Sequence, residues 1–177
     1  AYPKDVKFNK YEYDVEKAKS LLEEAGYTMK DGVMVNENGE ALSFTLDVPT
    51  GNTVREQAAQ VIQSNLKDVG IKVELNKMEF PALMEKVVGN HDFDMYMMGN
   101  NLTADPDLTS YWSSDAVSNE KGKMGWNISG FTTPELDKIL EAGAGTTDID
   151  ARKSAYKEFA VYMNEQIPWI YLFEQDI

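Results

Sequence analysis

DFDMYMMGNNLTADPDLTSYW, residues 92–112, is the stretch around which the predicted fold is arranged. It begins with an apolar run at 93–98, of the length and type expected for a buried strand, and this run stops at Gly99. Polar residues follow the glycine. Ligands of open α/β sheets bind just beyond the carboxyl ends of the strands. We therefore predict a binding site at this junction between strand and loop.

The residues before this stretch alternate between strand and helix patterns. The predicted elements are a strand at 42–48, a helix at 53–69, a strand from Ile71 to Leu75, a short helix opened by Pro81, and the strand at 93–98. Strands that alternate with helices pair in parallel through right-handed crossovers. The sequence therefore predicts the α/β class, with a mostly parallel sheet flanked by helices.

The carboxyl ends of parallel strands share one edge of their sheet. Here that edge would bring together three segments that are distant in sequence, 49–52, 77–80 and 99–103. Asn100 and Asn101 carry amides that can donate and accept hydrogen bonds to a polar ligand. The alternative is that the two asparagines only turn the chain.

The predicted helix at 53–69 has two features that the structure can test. Thr53 and Glu56 have the spacing of a capping box. An apolar face is predicted from residues at helical spacing, namely Val54, Ala58, Val61, Leu66 and Val69. Elsewhere we predict a helix at 14–25, an irregular loop at 113–132, a helix from Thr133, a long helix capped by Asp148 or Thr147, and a strand at 168–173.

Composition limits the classes of function. With 177 residues and 42% hydrophobic content, the chain can bury a sizeable core as one domain. Its 17 basic and 30 acidic residues give a net charge of -13, which would repel nucleic acid and anionic membranes. The absence of cysteine excludes disulfides, thiolate metal ligands and a cysteine nucleophile. No apolar run is long enough to predict a transmembrane helix.

Short motifs follow one another in a fixed order along the chain. They are YDVEKAKSLLEEAGY at 13–27, Asp31-Gly32, Val69-Gly70-Ile71, Asp92-Phe93-Asp94 with Gly99, Asp105-Pro106-Asp107 with Trp112, Asn127 with Gly130-Phe131, and Pro134-Glu135-Leu136-Asp137 with Arg152 to Tyr156. This order resembles the family 5 extracellular solute-binding proteins of ABC importers, the oligopeptide, dipeptide and nickel type. The resemblance covers nearly the whole chain.

The resemblance implies a fold and a function. It implies that residues 1–177 form a single lobe of the periplasmic-binding-protein type II fold, namely the carboxyl-terminal ligand-binding lobe without its amino-terminal partner. Such a lobe would help to capture a small solute such as an oligopeptide in an interlobe cleft and deliver it to the membrane subunits of an ABC permease. The expected location is the periplasmic or extracellular face of a bacterial membrane, with a lipid anchor in the full-length protein. The resemblance implies no enzyme activity, cofactor or metal.

The resemblance also implies site residues. In many members the glycine matching Gly99 is followed by tryptophan, and a nearby aspartate pairs with the amino terminus of a peptide. Here Asn100 stands at the tryptophan position, and no acidic residue precedes Asp105. The predicted ligand-binding residues are Asn100, Asn101, Leu102, Thr103, Trp112, Trp126 and Asn127. For the two tryptophans, packing in the core is the alternative.

Two other classes of function are compatible with the sequence. Asp105 and Asp107 resemble the paired carboxylates of an acid–base enzyme, which would make the chain a small α/β hydrolase. A turn at Pro106 and a helix cap explain the same residues without catalysis. A stand-alone interaction module that binds a basic partner through its acidic surface is the third interpretation.

Overall fold

A computed structural model describes residues 6–100, 105–117 and 125–173. The chain divides into two compact units. We call Glu12–Asn101 the sheet unit, and Ala1–Tyr11 together with Leu102–Ile177 the helical unit. The single lobe expected for 1–177 stays a prediction, and each unit is described by itself. In the part of the chain that the structure describes, no helix has the length and apolar character needed to cross a membrane.

A parallel sheet of three strands, in the order β4-β3-β5, organises the sheet unit. The strands pair in parallel on both sides of β3, which confirms the predicted parallel arrangement. A small antiparallel hairpin, β1 with β2, precedes them. The elements are α1 Val15–Glu24, β1 Thr28–Lys30, β2 Val33–Val35, β3 Ser43–Pro49, α2 Thr53–Asp68, β4 Lys72–Met78, α3 Phe80–Leu83, a π-helix Met84–Gly89 and β5 Met95–Tyr96.

The start of α2 differs from the predicted capping box. Asn52 is the N-cap, and its side-chain oxygen accepts a hydrogen bond of 3.0 Å from the backbone N–H of Arg55. Thr53 is therefore the first helical residue. Asparagine is among the best N-cap residues because its short side chain reaches back to the first turn. Glu56 accepts from the N–H of Gly51 at 3.3 Å, two residues before the Thr53 N–H that the predicted capping box would use.

The buried face of α2 also differs from the prediction. Val54 and Val61 are 52% and 58% exposed. The residues that pack toward the sheet are Ala59, which is fully buried, with Ile62 and Leu66 beside it in the same core. Their spacing of three and four residues places them on one side of the helix, whereas both valines point elsewhere. The predicted apolar face was therefore wrong at Val54 and Val61, whereas its other members are buried or pack in the core, namely Ala58, Leu66 and Val69.

The opposite face of the sheet has a charged centre. Asp47 lies between Leu46 and Val48 on β3, so its side chain points away from α2. It is fully buried. Asn76 Nδ2 donates to Asp47 Oδ1 at 2.7 Å, and Lys86 Nζ lies 3.1 Å from Asp47 Oδ2. This contact ties the π-helix to the middle strand.

Lys86 is held as a cation by its neighbours. Burial works to lower the pKa of Lys86, but the hydrogen bond and charge of Asp47, together with those of Asp92, outweigh burial and raise it. Lys86 also donates to the backbone carbonyl of Asp92. The ammonium group therefore links three parts of the sheet unit: the middle strand, the π-helix and the approach to β5.

The helical unit is built on α5 and α6. Its elements are α4 Thr109–Trp112, a 3-10 helix Ser114–Ala116, α5 Pro134–Ala144 and α6 Ile149–Gln166. Thr133 caps α5, accepting from the N–H of Leu136 at 3.1 Å, and Asp148, one of the two predicted caps, caps α6, accepting from the N–H of Ala151 at 2.7 Å. Both helices pack around one apolar core, formed by Trp112, Leu136, Ile139, Leu140, Phe159 and Met163.

The predicted strand at 168–173 is wrong. Ile167 ends α6 in the left-handed region, with φ of 48°, and the residues after it pair with no strand in the described part of the chain. The ring of Trp169 lies 4.4 Å from that of Trp112, centroid to centroid. Strand propensity needs a neighbouring backbone to hydrogen-bond with, and the described residues supply none here.

Replacing Asp47 with alanine should destabilise the sheet unit by about 3 kcal/mol, because the Lys86 ammonium and the Asn76 amide would both lose a buried partner. Asp92→Ala is the matched control, since Asp92 is 76% exposed and lies 3.5 Å from the same ammonium. It should cost less than about 1 kcal/mol. Urea unfolding measures both free energies. Equal losses in the two variants would contradict the role assigned to Asp47.

Candidate ligand-binding edge

The predicted edge of the sheet forms where β3 and β4 end. The two strands stay in register to their last pair, Pro49 with Met78, and the N–H of Thr50 donates to the carbonyl of Met78 at 2.8 Å. The Thr50 hydroxyl donates to Glu79 Oε1, also at 2.8 Å. The prediction that segments 49–52 and 77–80 meet at this edge is confirmed. Both connections lead directly into helices, α2 and α3.

One cation of the edge is already paired. Lys77 lies beside Val48 in the strand register, on the face that α2 covers. Its Nζ is 2.9 Å from Glu56 Oε2. The hydrogen bond from Lys77, followed by its charge, lowers the pKa of Glu56 despite the opposing effect of burial. Both groups are therefore charged at neutral pH, and the Lys77 ammonium is already paired with Glu56 rather than open to a ligand.

Arg55 is the second cation of the edge, and it is unpaired. The guanidinium is partly buried and has no hydrogen bond or ion pair within residues 6–100, 105–117 and 125–173. It rests against the loop after β5: a β-carbon at position 99 would lie 2.5 Å from Arg55 Nη2. Glycine at 99 is what admits this close approach. A planar guanidinium with free N–H groups is suited to bidentate binding of a carboxylate.

Sequence reasoning missed Arg55, although a signal was present. Arg55 stands in the first turn of α2, where the helix dipole disfavours a positive charge. A cation at such a position, directly after a strand of an α/β sheet, has a local cost that a ligand anion would relieve. Asn100, which was predicted, is exposed and directly follows Gly99. Asn101, Leu102 and Thr103 lie outside the described residues.

The other predicted site residues belong to the helical unit. Trp112 is 1% exposed and lies in the core, so it has no surface left for a ligand. Asn127 is fully buried, and its Nδ2 donates to the carbonyls of Ser113 and Phe131, each at 3.1 Å. Both side chains thus have structural roles in this chain. Trp126 keeps an exposed ring, at 40%.

The paired carboxylates do not have the properties of an acid–base pair. Asp105 Oδ1 binds Arg152 Nη2 at 2.7 Å and accepts the N–H of Asp107 at 3.1 Å. Asp107 accepts from the hydroxyl and the N–H of Thr109, and these bonds lower its pKa. A general acid needs a raised pKa. Turn formation and capping explain both residues, so the structure gives no support to the hydrolase interpretation.

The Glu56–Lys77 pair should make stability depend on pH. Because the pKa of Glu56 is lower in the folded chain than its usual 4.5, its contribution is present above that value and is lost as the pH falls through the folded pKa. Wild type should therefore melt above Glu56→Gln at pH 7, and the difference should shrink at pH 3. Lys77→Met should reproduce the loss, and the double variant should add little to it. A Glu56→Gln difference that persists at pH 3 would contradict this cause.

Gly99→Ala should displace the Arg55 guanidinium with little effect on stability, because the new methyl group meets the far end of a flexible side chain. We expect the unfolding free energy to change by less than about 0.5 kcal/mol. The Arg55 Nε resonance in an NMR spectrum should move. Gly89→Ala is the control, since its added β-carbon would come no closer than 3.9 Å to Met84 O. An Arg55 resonance that stays in place in both variants would contradict the contact.

The chain is similar to known bacterial solute-binding proteins. A family model described as "Bacterial extracellular solute-binding proteins, family 5 Middle" matches residues 1–122. Oligopeptide-binding protein AppA of Bacillus subtilis is 34% identical over 175 residues, which is 97% of this chain and 31% of that protein. Di/tripeptide-binding protein 2 of Pseudomonas aeruginosa is 30% identical over 94% of this chain and 29% of that protein. The chain thus spans about a third of the length of these relatives.

Solved structures agree with the sequence relatives. AppA from Bacillus subtilis, in complex with a nonapeptide, superposes with a TM-score of 0.84, covering 94% of this chain and 32% of that one at 34% identity. A nickel ABC transporter structure from Bacillus halodurans gives 0.75 at 30% identity, covering 94% and 34% of the respective chains. The predicted α/β fold of the periplasmic-binding-protein type II class is confirmed. The chain belongs to the bacterial extracellular solute-binding proteins of family 5.

Proposed function

We propose that this chain is one lobe of the substrate-binding component of an ABC importer. In this role it captures a small solute such as an oligopeptide, in a cleft shared with an amino-terminal lobe, and delivers it to the permease membrane subunits. The work takes place on the periplasmic or extracellular face of a bacterial membrane, where a lipid anchor holds the full-length protein. The observation that carries the proposal is the unpaired Arg55 guanidinium at the carboxyl edge of the sheet, in a chain of this family.

The chemistry of Arg55 matches the ligands named for the relatives. AppA is an oligopeptide-binding protein, and the Pseudomonas protein binds di- and tripeptides by its name. Every peptide with a free carboxyl terminus carries a carboxylate there. A guanidinium that the folded chain leaves without an anion can form two parallel N–H···O bonds to such a group. Asn100, the residue after Gly99, adds an exposed amide.

Lobe closure would strengthen this contact. In an open lobe, water screens the guanidinium and its anion, and the pair contributes little free energy. Closing a second lobe over the ligand removes that water, which strengthens the attraction between the two charges. Because the ligand binds the closed form more tightly, it shifts the population toward that form through a hinge motion. We therefore expect the 177-residue chain alone to bind peptides weakly.

Titrating the isotope-labelled 177-residue chain with Ala-Ala-Ala and with its carboxyl-terminal amide, followed by NMR, tests the proposal. The free carboxylate should bind about three- to fivefold more tightly than the amide, as expected for a screened ion pair, and should shift the Arg55 and Gly99 signals. Arg55→Gln should remove the difference between the two peptides.

Lys67→Gln provides the matched control, because Lys67 is an exposed cation at the other end of α2. It makes the same change of charge far from the edge and should leave both affinities unchanged. Equal affinity of the wild-type chain for the carboxylate and the amide would overturn the role of Arg55. So would an equal loss of affinity in the Lys67 variant, since that would show a response to net charge alone.

A further inference from the structure

The outer edge of β4 is unpaired. Among the described residues, this strand pairs with β3 on one side and with no strand on the other. On the β3 side, the N–H of Lys72 donates to the carbonyl of Leu42, and the carbonyl of Met78 accepts from Thr50. Backbone groups of alternate residues point to opposite sides of a strand. Residues 73, 75 and 77 therefore direct their N–H and carbonyl groups to the free side.

One of these outward groups already has a partner from outside the sheet. Gln63 of α2 donates from Nε2 to the carbonyl of Val73 at 2.8 Å. Its amide makes the hydrogen bond that a neighbouring strand would make. The outward backbone groups of Leu75 and Lys77 have no hydrogen bond within residues 6–100, 105–117 and 125–173. Most of the edge is thus available to a further strand.

A groove lies beside the first part of this edge. It has a volume of about 670 Å³ and is lined by 70–73, by the hairpin turn at 31–33 and by side chains from the second half of α2. This volume is in the usual range of ligand pockets in proteins. An extended chain that starts in the groove can continue along the open edge past Leu75 and Lys77.

The groove carries a free cation. Lys67 of α2 is exposed and forms no ion pair in the part of the chain that the structure describes. Lys72 also lines the groove and is paired with Glu74 at 3.2 Å. Asp31 is the one acidic residue of the lining, so the groove is locally basic in a chain with a net charge of -13. Salt screens charges beyond about 8 Å, and these local groups therefore determine which ligand is favoured.

We propose that the open edge of β4 binds an extended segment of another polypeptide, which adds to the sheet as a strand and places an acidic side chain beside Lys67. Main-chain hydrogen bonds to Leu75 and Lys77 supply the affinity, and the charge in the groove selects the acidic side chain. β4 has seven residues, so its two ends lie about 20 Å apart, with the groove at one end and the edge of Arg55 at the other. A partner protein can therefore dock here while the solute site is occupied.

Two blocked pentapeptides test the proposal by NMR titration of the 177-residue chain: acetyl-Thr-Val-Glu-Val-Thr-amide and the same peptide with glutamine in place of glutamate. Neither has the free carboxyl terminus proposed to bind Arg55. The glutamate peptide should bind about two- to fivefold more tightly, the range of an exposed ion pair, and should shift the amide signals of Leu75 and Lys77. A glutamate peptide with proline in place of both valines should not bind, because it lacks two main-chain donors.

Lys67→Gln should remove the preference for the glutamate peptide. The matched control is Lys17→Gln, which changes an exposed lysine of α1 outside the groove and should keep the preference. Asp31→Asn should strengthen binding of the glutamate peptide, because it removes a repulsive charge. Asparagine also tolerates the left-handed backbone of residue 31, with φ of 51°.

Three results would each overturn the proposal: no binding of either valine peptide, equal binding of the proline peptide, or the same loss in both lysine variants. Shifts at Gly99 without shifts at Leu75 would overturn it as well, since they would place the peptide at the other end of the sheet. The preference of Arg55 for a terminal carboxylate is measured with Ala-Ala-Ala and its amide, so either proposal can fail without the other.

Discussion

Parallel pairing of β3 with a strand on each side is the constraint on which the sheet unit depends. It directs the carboxyl ends of β3 and β4 to one edge, where the connections after these two strands lead into α2 and α3. It also assigns alternate residues of β3 to opposite faces. One face receives α2 through apolar side chains, and the other receives the π-helix through the buried charge of Asp47. The two sides are therefore held by different physical interactions.

At the edge itself, the pattern of ionic pairing matters more than the number of charges. The chain has many more acidic than basic residues, yet Arg55 has no carboxylate partner in the described segments. Glu56, its neighbour in sequence, binds Lys77 on the next strand instead. Adjacent residues on a helix point in different directions, about 100° apart, so they serve different partners. The Glu56 carboxylate thus binds Lys77 at the end of β4, while the guanidinium of Arg55 is left without a partner among the described residues.

Much of this architecture could be read from the sequence. Helical periodicity and the strand–helix alternation identified most elements and the position of the edge. The failures have specific causes. Several apolar stripes fit the composition of α2, and only packing against the sheet selects the one through Ala59. Residues 168–173 have strand-forming side chains but no strand to pair with among the described residues.

The site was harder to predict than the fold, because a charged side chain is open to a ligand only if no other residue pairs with it. A sequence shows that Arg55 is charged, but a free charge is recognised only after every neighbour has been placed. Trp112 and Asn127 are the opposite case. Their residue types are common in binding sites, but in the structure Trp112 packs in the core and Asn127 donates hydrogen bonds to neighbouring backbone carbonyls. Only the contacts of each side chain in the folded chain distinguish a group that is open to a ligand from one that has a structural role.

The contact between Arg55 and Gly99 makes two distant positions depend on each other in evolution. Any side chain larger than glycine at 99 would compete with the guanidinium for the same space, so a longer residue there is compatible only with a shorter or differently placed one at 55. We expect these positions to covary among homologues that have diverged in ligand. A designer who transplants a new recognition loop after β5 would have to redesign the first turn of α2 together with it.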